Sequence, residues 1–547
     1  MRNYEILLVH DNDERVRMFF DSRRSTVHGN NGMIATSQPL AAIAGLKVLF
    51  EGGNAIDACV AAAAVLNVVE PESTGIGGDM FALIRMSDTK KVVSLNGSGR
   101  SGSGASIAEL QSKGFSKLPD IGPYSVSVPG TVHGWETIMN EYGNMTLSEV
   151  LKPAINYAIN GFAVSDIISY QWKSQEDKLL QYPSGNEFLF SGKGPNEGDF
   201  VKLPTLGKTL QAIAEGGSEA FYTGDIGKRI ADYVQQLGGW VTEDDLKNHH
   251  SDWDEAISTD YRGVTCWECP PAGQGIVALE AMNIVEEFDV SGMGSQTVET
   301  YHHMIEAIRL AFADAGQYVA DPRVSDVPTK ALLSKEYAAA RRSLIDPSKA
   351  MQDVPYGDVM KDGDTVYISC VDKDGNACSF INSIFTNFGS GLVVPETGIV
   401  LQNRGSLFEL DKDHLNALEP NKRPFHTIIP AMATKGDDLF LCYGIMGGYM
   451  QPQAHLQIIS DIVDHGMDVQ KAINALRFMV SPSGVFLEEG IDPGIVSTLR
   501  GMGHNIQLIS GHARVGMGGA QVIMRNPETG VLSGGSEPRK DGCVVGW

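Results

Sequence analysis

The segment TVYISCVDKDGNACSFINS, residues 365–383, decides the fold predicted from this sequence. Its centre, residues 372–376, holds the Asp, Gly and Asn that are typical of a turn, and the residues on either side alternate with the period of a strand. This pattern predicts a β-hairpin. Because the preceding chain is mostly helical in its pattern, residue 365 also marks an abrupt change of structure.

Apolar residues recur with the helical period over most of the chain before the hairpin. A Ser cap at residue 37 precedes a first helix that continues to residue 49, and an Ala-rich helix that begins near Asn54 has almost no polar face, so it should be buried. Further helices are predicted at 131–142, 148–160, 206–215, 225–237, 275–287 and 298–318, with a hairpin at 81–86 and 90–95 and a strand at 257–269. After the first hairpin we expect strands at 398–402, 428–433 and 439–443 and helices at 452–465 and 468–476. Strands and helices at both ends of the chain indicate stacked layers of sheet and helix.

Length, charge and cysteine content limit the class of protein. The chain has 547 residues, and 43 Lys and Arg against 67 Asp and Glu give a net charge of −24, whereas a general nucleic-acid binder needs a basic surface. The apolar runs are too short to cross a membrane. Seven cysteines and the absence of an opening signal pattern favour a cytoplasmic location. We therefore expect small-molecule or protein partners, no nucleic acid and no membrane, and a peripheral extension at residues 1–30 that opens with a strand at 1–9.

Several patterns invite a metal or phosphate site without supporting one. Cys266-x-x-Cys269 lacks a second pair at ligand spacing, so two cysteines of a buried strand are the favoured interpretation. The Gly-rich run 97–104 lacks the residues of a phosphate loop, and the His pairs at 249–250 and 302–303 lack an acidic partner at ligand spacing. The sequence predicts neither a metal nor an organic cofactor.

Gly-rich turns follow strands at 74–79, 388–391 and 444–448. They are either simple turns or places where two backbone N–H groups point at one spot, which is the geometry that holds an oxyanion in acyl transfer. The residues alone leave both interpretations open.

Several motifs occur in an order that is specific when they are taken together: GGNAIDA at 52–58, GIGGD at 75–79, VPGTVHG at 128–134, YRG at 261–263, AFAD at 311–314, DKDGNA at 372–377 and GG at 447–448. With them, the chain from about residue 32 onward resembles the γ-glutamyltransferase (γ-glutamyltranspeptidase) family. The resemblance implies an α+β fold, the four-layer αββα sandwich of an N-terminal-nucleophile hydrolase, with an extra mostly helical region. It also implies an inactive precursor that cuts itself between Asp364 and Thr365. The large fragment consists of the extension 1–30 and the large subunit 31–364, the small fragment is 365–547, and the two fragments form a heterodimer.

The resemblance assigns the reacting groups position by position. Thr365 resembles the nucleophile, Gly447 and Gly448 resemble the pair whose N–H groups stabilise the oxyanion, and Ser383 stands where the family has a second, supporting Thr. The chemistry is sound on its own terms, because cleavage would give Thr365 an α-amine with a pKa of about 7.7–8.0 that can act as the base for its own hydroxyl.

The acyl pocket departs from that of a transpeptidase. Arg404 and Leu407 replace the Gln and Asp that hold an α-amino group, His426 and Thr427 replace the paired serines that bind the α-carboxylate, Phe385 replaces an Asn, and Arg100 lies two positions after the place of the family's carboxylate-binding Arg. A pocket that loses acceptors for an ammonium and gains Arg404 should prefer an acyl group with a carboxylate and no α-amine. Alternatively, Arg404 simply pairs with Glu396 or Glu409.

These departures resemble the amidohydrolase side of the family, which includes cephalosporin (glutaryl) acylases and oxamate amidohydrolase. We therefore predict a self-processing, Thr-dependent hydrolase that cleaves the amide of a small acidic acyl group through an acyl-enzyme. Both a single heterodimer and a dimer of heterodimers are left open. True γ-glutamyl transfer or glutathione hydrolysis is the second hypothesis. The third is a non-processing relative that binds an acidic ligand without turnover.

Overall fold

The computed structural model describes residues 24–352, 354, 363 and 365–547. In this part of the chain two seven-stranded sheets and three small sheets form. The strands are β1 (Val27–Gly29), β2 (Gly32–Thr36), β3 (Asp79–Arg85), β4 (Val92–Gly97), β5 (Phe162–Ala163), β6 (Phe200–Val201), β7 (Asp252–Glu255), β8 (Ile257–Tyr261), β9 (Val264–Glu268), β10 (Val366–Asp372), β11 (Ala377–Ser383), β12 (Val393–Val394), β13 (Ile399–Val400), β14 (Ala431–Lys435), β15 (Asp438–Met446), β16 (Phe478–Ser481), β17 (Gly484–Glu488), β18 (Ile506–Ile509), β19 (Gly519–Arg525), β20 (Leu532–Ser536) and β21 (Cys543–Gly546). Sheet I has the order β21-β2-β10-β11-β3-β4-β7, and sheet II has the order β1-β20-β19-β15-β14-β9-β8.

Helices cover the outer faces of both sheets and fill most of the chain between residues 107 and 342. They are α1 (Pro39–Phe50), α2 (Ala55–Val69), α3 (Ile107–Ser112), α4 (Thr131–Tyr142), α5 (Leu147–Val150), α6 (Lys152–Asn160), α7 (Asp166–Lys173), α8 (Glu176–Leu179), α9 (Pro204–Tyr222), α10 (Asp225–Gln236), α11 (Glu243–Lys247), α12 (Gly275–Val285), α13 (Val290–Met293), α14 (Val298–Tyr318), α15 (Thr329–Leu332), α16 (Lys335–Arg342), α17 (Met450–Val463), α18 (Val469–Asn474) and α19 (Pro493–Gly501). In the described residues, none of these helices is both long and apolar enough to cross a membrane.

The central strands show that the two sheets pack face to face between layers of helices. In β10, Ile368 and Cys370 belong to a core shared with α1 and α2, whereas Tyr367 and Val371 face sheet II. The residues of β15 alternate in the same way, between a core shared with α12 and α17 and the core between the sheets. This alternation is the period of two that a strand imposes. The predicted α+β fold, with a four-layer αββα sandwich and an added helical region, is therefore confirmed.

The Ala-rich helix α2 is buried along its whole length, as predicted. Asn54 caps it with a capping box, in which its side chain accepts hydrogen bonds from the backbone of Ile56 and Asp57. The cap of α1 was predicted wrongly. Gln38 caps that helix, and Ser37 is unavailable because its hydroxyl donates to the buried carboxylate of Glu70 at 2.6 Å.

Other element boundaries also differ from the prediction, three of them for a clear reason or by a large margin. The segment 257–269 is not one strand but the hairpin β8–β9, because Arg262 and Gly263 both adopt positive φ, 54° and 81°, as a tight two-residue turn requires. The predicted helix 148–160 divides into α5 and α6, with a proline at the start of α6. The predicted strand 398–402 shortens to β13.

Cys266 and Cys269 are both buried, but they face different layers. Cys266 packs in the core outside sheet II, and Cys269 packs in the core between the sheets. Their thiols therefore do not converge on one ligand position.

The predicted peripheral extension, 1–30, falls only partly within the described residues. Residues 1–23, including the predicted strand at 1–9, lie outside the described residues. The following residues are integrated into the fold, since β1 pairs with β20 at the edge of sheet II and Arg24 donates a hydrogen bond to Ser536 at 3.0 Å.

Candidate active site

The hairpin β10–β11 brings two of the predicted site residues together. Its register pairs Val366 with Asn382, so Thr365 stands opposite Ser383 at the open end of the hairpin. The hydroxyl oxygens of Thr365 and Ser383 are 3.2 Å apart, and both residues are buried. The turn chemistry of residues 372–376 therefore fixes the register that makes this contact.

Arg404 connects the hydroxyl of Ser383 to Thr427, another residue that was predicted to bind substrate. Its Nη2 donates to Ser383 Oγ at 3.2 Å, and its Nη1 donates to Thr427 Oγ1 at 2.7 Å. Arg404 lies in a short 3₁₀ turn after β13, and Thr427 lies in the loop before β14. The guanidinium thus connects segments that are distant in sequence to the end of sheet I.

The guanidinium of Arg404 has no exposed surface, and its centre lies 4.5 Å from the centroid of the Phe385 ring. Burial lowers the pKa of Arg404 to about 10, an effect that the charge of Asp79 opposes. Phe385 has a positive φ of 78°, which turns its backbone N–H toward Ser383 Oγ at 2.9 Å. Two of the residues that depart from the transpeptidase pattern, Phe385 and Arg404, therefore pack against each other.

Asp79 is a site residue to which the sequence analysis gave no role. Its Oδ2 lies 2.9 Å from His426 Nε2 and 3.8 Å from Arg404 Nε, and its Oδ1 accepts hydrogen bonds of 2.9 Å from Gln402 Nε2 and from the backbone of Gly99. It begins β3 and pairs directly with Ser383 of β11. The signal was present in the motif GIGGD, but the partners of its last residue come from distant parts of the chain.

His426, predicted as a substrate-binding residue, faces Asp79. Burial and the nearby charge of Arg404 lower its pKa to about 4, against the attraction of Asp79. A neutral imidazole carries one N–H, and we place it on Nε2, because that atom faces the carboxylate. His426 therefore orients Asp79 without adding a positive charge to the site.

Gly447 and Gly448 lie where β15 of sheet II ends and α17 begins. Both have positive φ, 121° and 55°, a conformation that suits glycine. Gln274 fixes the turn, since its Nε2 donates to the Gly448 carbonyl at 2.8 Å and to the Thr427 carbonyl at 2.6 Å. A Cβ atom on Gly448 would lie 3.0 Å from the backbone nitrogen of Gly363, so the chain that leads to Thr365 passes against this turn.

Arg100 is not brought to these residues. Its guanidinium bonds Asp252 Oδ2 at 3.2 Å and lies 3.1 Å from His250 Nε2, and Asp252 is shared with Arg423. Burial lowers the pKa of Arg100, and the charge of Asp252 opposes this effect. In the described residues, the hydrogen bonds of the Arg100 side chain therefore go to His250 and Asp252 and not to the other predicted site residues.

The alternative pairing of Arg404 with Glu396 or Glu409 was wrong. Glu396 pairs with Arg229 at 2.8 Å, and the described hydrogen bonds of Arg404 go to Ser383 and Thr427. Asp364, the other half of the predicted cleavage site, lies outside the described residues.

A cleft of about 740 Å³ borders the site, and both Gly447 and Gly363 line it. Its walls come from α7 and α8 on one side and from the β16–β17 hairpin and residues 509–516 on the other. A substrate of moderate size fits such a volume.

Comparisons with known proteins cover nearly the whole chain. The gamma-glutamyltranspeptidase family model matches residues 41–547. The glutathione hydrolase-like YwrD proenzyme of Bacillus subtilis is 38% identical over 529 residues, which are 95% of this chain and 99% of that protein. The oxamate amidohydrolase proenzyme of Klebsiella pneumoniae is 34% identical over 95% of this chain and 100% of that protein. The crystal structure of cephalosporin acylase from Bacillus halodurans matches with a TM-score of 0.91 at 42% identity, over 96% of this chain and 98% of that chain.

Proposed function

Because the chain belongs to the gamma-glutamyltranspeptidase family of hydrolases, we propose that it is a self-processing, Thr-dependent amidohydrolase specific for a small acidic acyl group. The precursor cuts itself between Asp364 and Thr365. The new amino-terminal Thr365 then forms an acyl-enzyme with the substrate, and water releases the acid. The proenzyme names of the relatives in Bacillus subtilis and Klebsiella pneumoniae support the processing step.

Thr365 would supply both nucleophile and base. Its hydroxyl attacks the substrate carbonyl, its α-amine takes the hydroxyl proton, and the proton passes to the departing amine. The 3.2 Å contact with Ser383 supports this role, because Ser383 is itself held by Arg404 and by the backbone of Phe385. The hydroxyl is thereby oriented before substrate arrives.

Gly447 and Gly448 would supply the N–H groups that stabilise the oxyanion. Their place at the end of β15, their positive φ values and the anchor from Gln274 support this role, since together they fix the direction of the backbone. The nucleophile would come from sheet I and the oxyanion donors from sheet II.

The buried guanidinium of Arg404 is the observation that carries the acyl preference. Of the five N–H groups of a guanidinium, one bonds Ser383 and one bonds Thr427 in the described contacts, and Nε lies 3.8 Å from Asp79. Because the guanidinium has no exposed surface, a ligand carboxylate would reach its other N–H groups only when the covering side chains move aside. Asp79 already accepts three hydrogen bonds and faces Arg404, which leaves it little capacity for a substrate ammonium. The pocket therefore favours a glutaryl-like or oxamate-like acyl group over a γ-glutamyl group.

Glutathione hydrolysis or γ-glutamyl transfer is the second candidate. The glutathione hydrolase-like name of the relative from Bacillus subtilis favours it. The two candidates predict different substrate preferences, so one set of assays separates them.

The first experiment is an intact-mass measurement on the wild-type protein and two variants. Wild type should give two chains that meet at Asp364–Thr365, Thr365→Ser should still be cut, and Thr365→Ala should stay whole and inactive. Thr498→Ala is the matched control, because Thr498 is exposed on α19 and bonds only its own helix. A cut and active Thr365→Ala protein would rule out the proposed nucleophile.

The second experiment compares kcat/KM for glutaryl anilide, γ-glutamyl anilide and oxamate with the same processed preparation. We expect the acyl groups without an α-amine to be preferred by about tenfold or more, which is the scale of one lost charged hydrogen bond. Turnover of γ-glutamyl anilide alone would favour the second candidate. A chain that stays whole and turns over no amide would favour a ligand-binding relative.

A further inference from the structure

Tyr449 is a buried residue beside the proposed site that the proposed mechanism does not use. It follows Gly448 directly and stands at the start of α17. Only 6% of the residue is exposed, and in the described part of the chain its Oη has no hydrogen-bond partner. A buried hydroxyl without a partner costs free energy, so such a group indicates a function or a ligand.

Aromatic packing holds the phenol of Tyr449 in place. Its ring is stacked on that of Phe425, with the centroids 6.1 Å apart and the planes 13° from parallel, and the ring of Phe312 meets it edge-on at 6.0 Å. Its backbone is held as well, since Gln453 Nε2 donates to the Tyr449 carbonyl at 3.0 Å. The hydroxyl is therefore positioned by packing, and a ligand that accepts from it would break no hydrogen bond of the described residues.

Tyr449 lies near both the cleft and Arg404. The described lining residues of the cleft include Tyr449 but not Arg404. Its stacking partner Phe425 comes two residues before Thr427, whose hydroxyl accepts a hydrogen bond from Arg404 at 2.7 Å. A carboxylate that moves from the cleft to Arg404 therefore passes Tyr449.

The charge around Tyr449 suits a hydrogen-bond donor to an anion. Burial raises the pKa of Tyr449, and the positive charge of Arg404 opposes this increase, so the phenol stays protonated at neutral pH and can donate. A neutral phenol leaves the charge of Arg404 available to a ligand. A carboxylate in place of the phenol would pair with the guanidinium and repel an acidic ligand.

A carboxylate that is buried at Arg404 needs donors for both of its oxygens, because an unpaired buried charge is costly. The guanidinium of Arg404 can supply N–H groups from one direction only, since its donors lie in one plane. The hydroxyl of Tyr449 is a nearby buried donor that has no partner in the described residues.

We propose that Tyr449 is a specificity-determining residue of the acyl pocket, and that its hydroxyl donates a hydrogen bond to the acyl carboxylate that Arg404 binds. The inference rests on the proposed function and adds one donor to the acyl site. Tyr449 takes no part in the bond changes at Thr365. Its loss should therefore change which acyl group is preferred and leave self-cleavage intact.

The test uses glutaryl anilide and pentanoyl anilide, whose acyl chains have the same length and end in a carboxylate and a methyl group. Wild type should prefer glutaryl anilide. Tyr449→Phe should be cut like wild type, should lower kcat/KM for glutaryl anilide by about tenfold, and should leave pentanoyl anilide unchanged. Tyr301→Phe is the matched control, since Tyr301 is a buried tyrosine whose hydroxyl already donates to the Leu476 carbonyl at 3.0 Å. It should leave kcat/KM for both anilides unchanged.

Thermal unfolding separates this role from a structural one. Tyr449→Phe removes a hydroxyl that has no partner in the described chain, so its midpoint should equal or exceed that of wild type, whereas Tyr301→Phe should unfold at a lower temperature. If Tyr449→Phe unfolds at a lower temperature and loses kcat/KM for both anilides by the same factor, the residue is structural and the proposal is overturned. Equal use of the two anilides by wild type overturns it as well.

Binding of the free acids, glutarate and pentanoate, is measured in parallel by saturation-transfer NMR, because binding does not depend on turnover. Wild type and Tyr301→Phe should bind glutarate more tightly than pentanoate, and Tyr449→Phe should lose about tenfold in glutarate affinity. If glutarate binds in this way but no amide is cleaved, the proposed function fails and the assignment of Tyr449 stands. If the anilides are cleaved but Tyr449→Phe binds glutarate and cleaves glutaryl anilide as wild type does, the assignment fails and the proposed function stands.

Discussion

At the scale of single residues, the two hydrogen bonds of the Arg404 guanidinium give the most specific prediction. A lysine keeps the positive charge, but it cannot donate in the fixed directions that reach Ser383 and Thr427 together. We expect Arg404→Lys to lower kcat/KM for a carboxylated acyl substrate by about tenfold or more, and Arg404→Met to lower it further. Arg229→Lys, at an exposed arginine paired with Asp225 and Glu396, should leave kcat/KM unchanged. Wild-type kcat/KM in Arg404→Lys would mean that charge alone matters here.

His426 makes a prediction about acid stability. Its pKa is about 4 in the folded protein and 6.5 in a model peptide, so between these values the unfolded chain binds a proton that the folded chain does not. Stability should therefore fall as the pH drops from about 6.5 toward 4, and this residue alone should account for about 2 kcal/mol between pH 7.5 and pH 5. Urea unfolding of wild type and His426→Gln at both values measures the effect. An equal pH dependence in both proteins would contradict the prediction.

The residues of the site were predictable to different degrees. Thr365 and Ser383 belong to one hairpin, so local pattern and family resemblance were enough to pair them. Asp79 was quoted as part of a motif without a role, because its partners include Gln402 and His426, far along the chain. A carboxylate whose hydrogen-bond partners assemble only on folding leaves no local signal in one sequence.

At the scale of elements, close packing predicts that Gly45, where α1 meets β2 and α2, and Gly501, at the open end of α19, respond in opposite ways to alanine. A Cβ on Gly45 would lie 2.3 Å from Ile34 Cδ1 and 3.0 Å from the Ala58 carbonyl, whereas a Cβ on Gly501 would meet nothing within 4 Å. We expect Gly45→Ala to destabilise the protein by about 1–3 kcal/mol through overpacking, and Gly501→Ala to stabilise it by up to about 1 kcal/mol. Chemical unfolding of the two variants gives the comparison. A Gly45→Ala variant that is more stable than wild type would show that α1 can move away from Ile34 and Ala58 without a loss of folding free energy.

Elements with a clear period were the predictable ones. α4 and α14 have the predicted bounds, because their apolar residues recur with the helical period. The sequence analysis did not find β2 and β19. All of β2 and most of β19 are buried on both faces, so their residues do not alternate between polar and apolar. Their place in the sheets comes from long-range pairing, which no local window records.

At the scale of the whole molecule, the proposed cut does not divide the protein into two structural units. In sheet I, β10 and β11 follow Thr365 in sequence and lie between β2 and β3, which precede it. In sheet II, β1 pairs with β20, and β9 pairs with β14. Each of the two large sheets therefore contains strands from both proposed fragments.

This interleaving predicts that the processed chains stay associated and unfold together. Their separation would expose the core between the sheets and break the ladders that join β10 to β2 and β11 to β3, so it should require the same denaturant concentration as global unfolding. Native mass spectrometry should find both chains in one particle, and urea titration should release them at the midpoint at which the circular dichroism of the sheets is lost. Uncut Thr365→Ala is the control, since it should unfold in one transition as a single chain. Release of the small chain before the loss of sheet signal would show that the fragments are separable units, and that the core between the sheets contributes less to the heterodimer than its burial indicates.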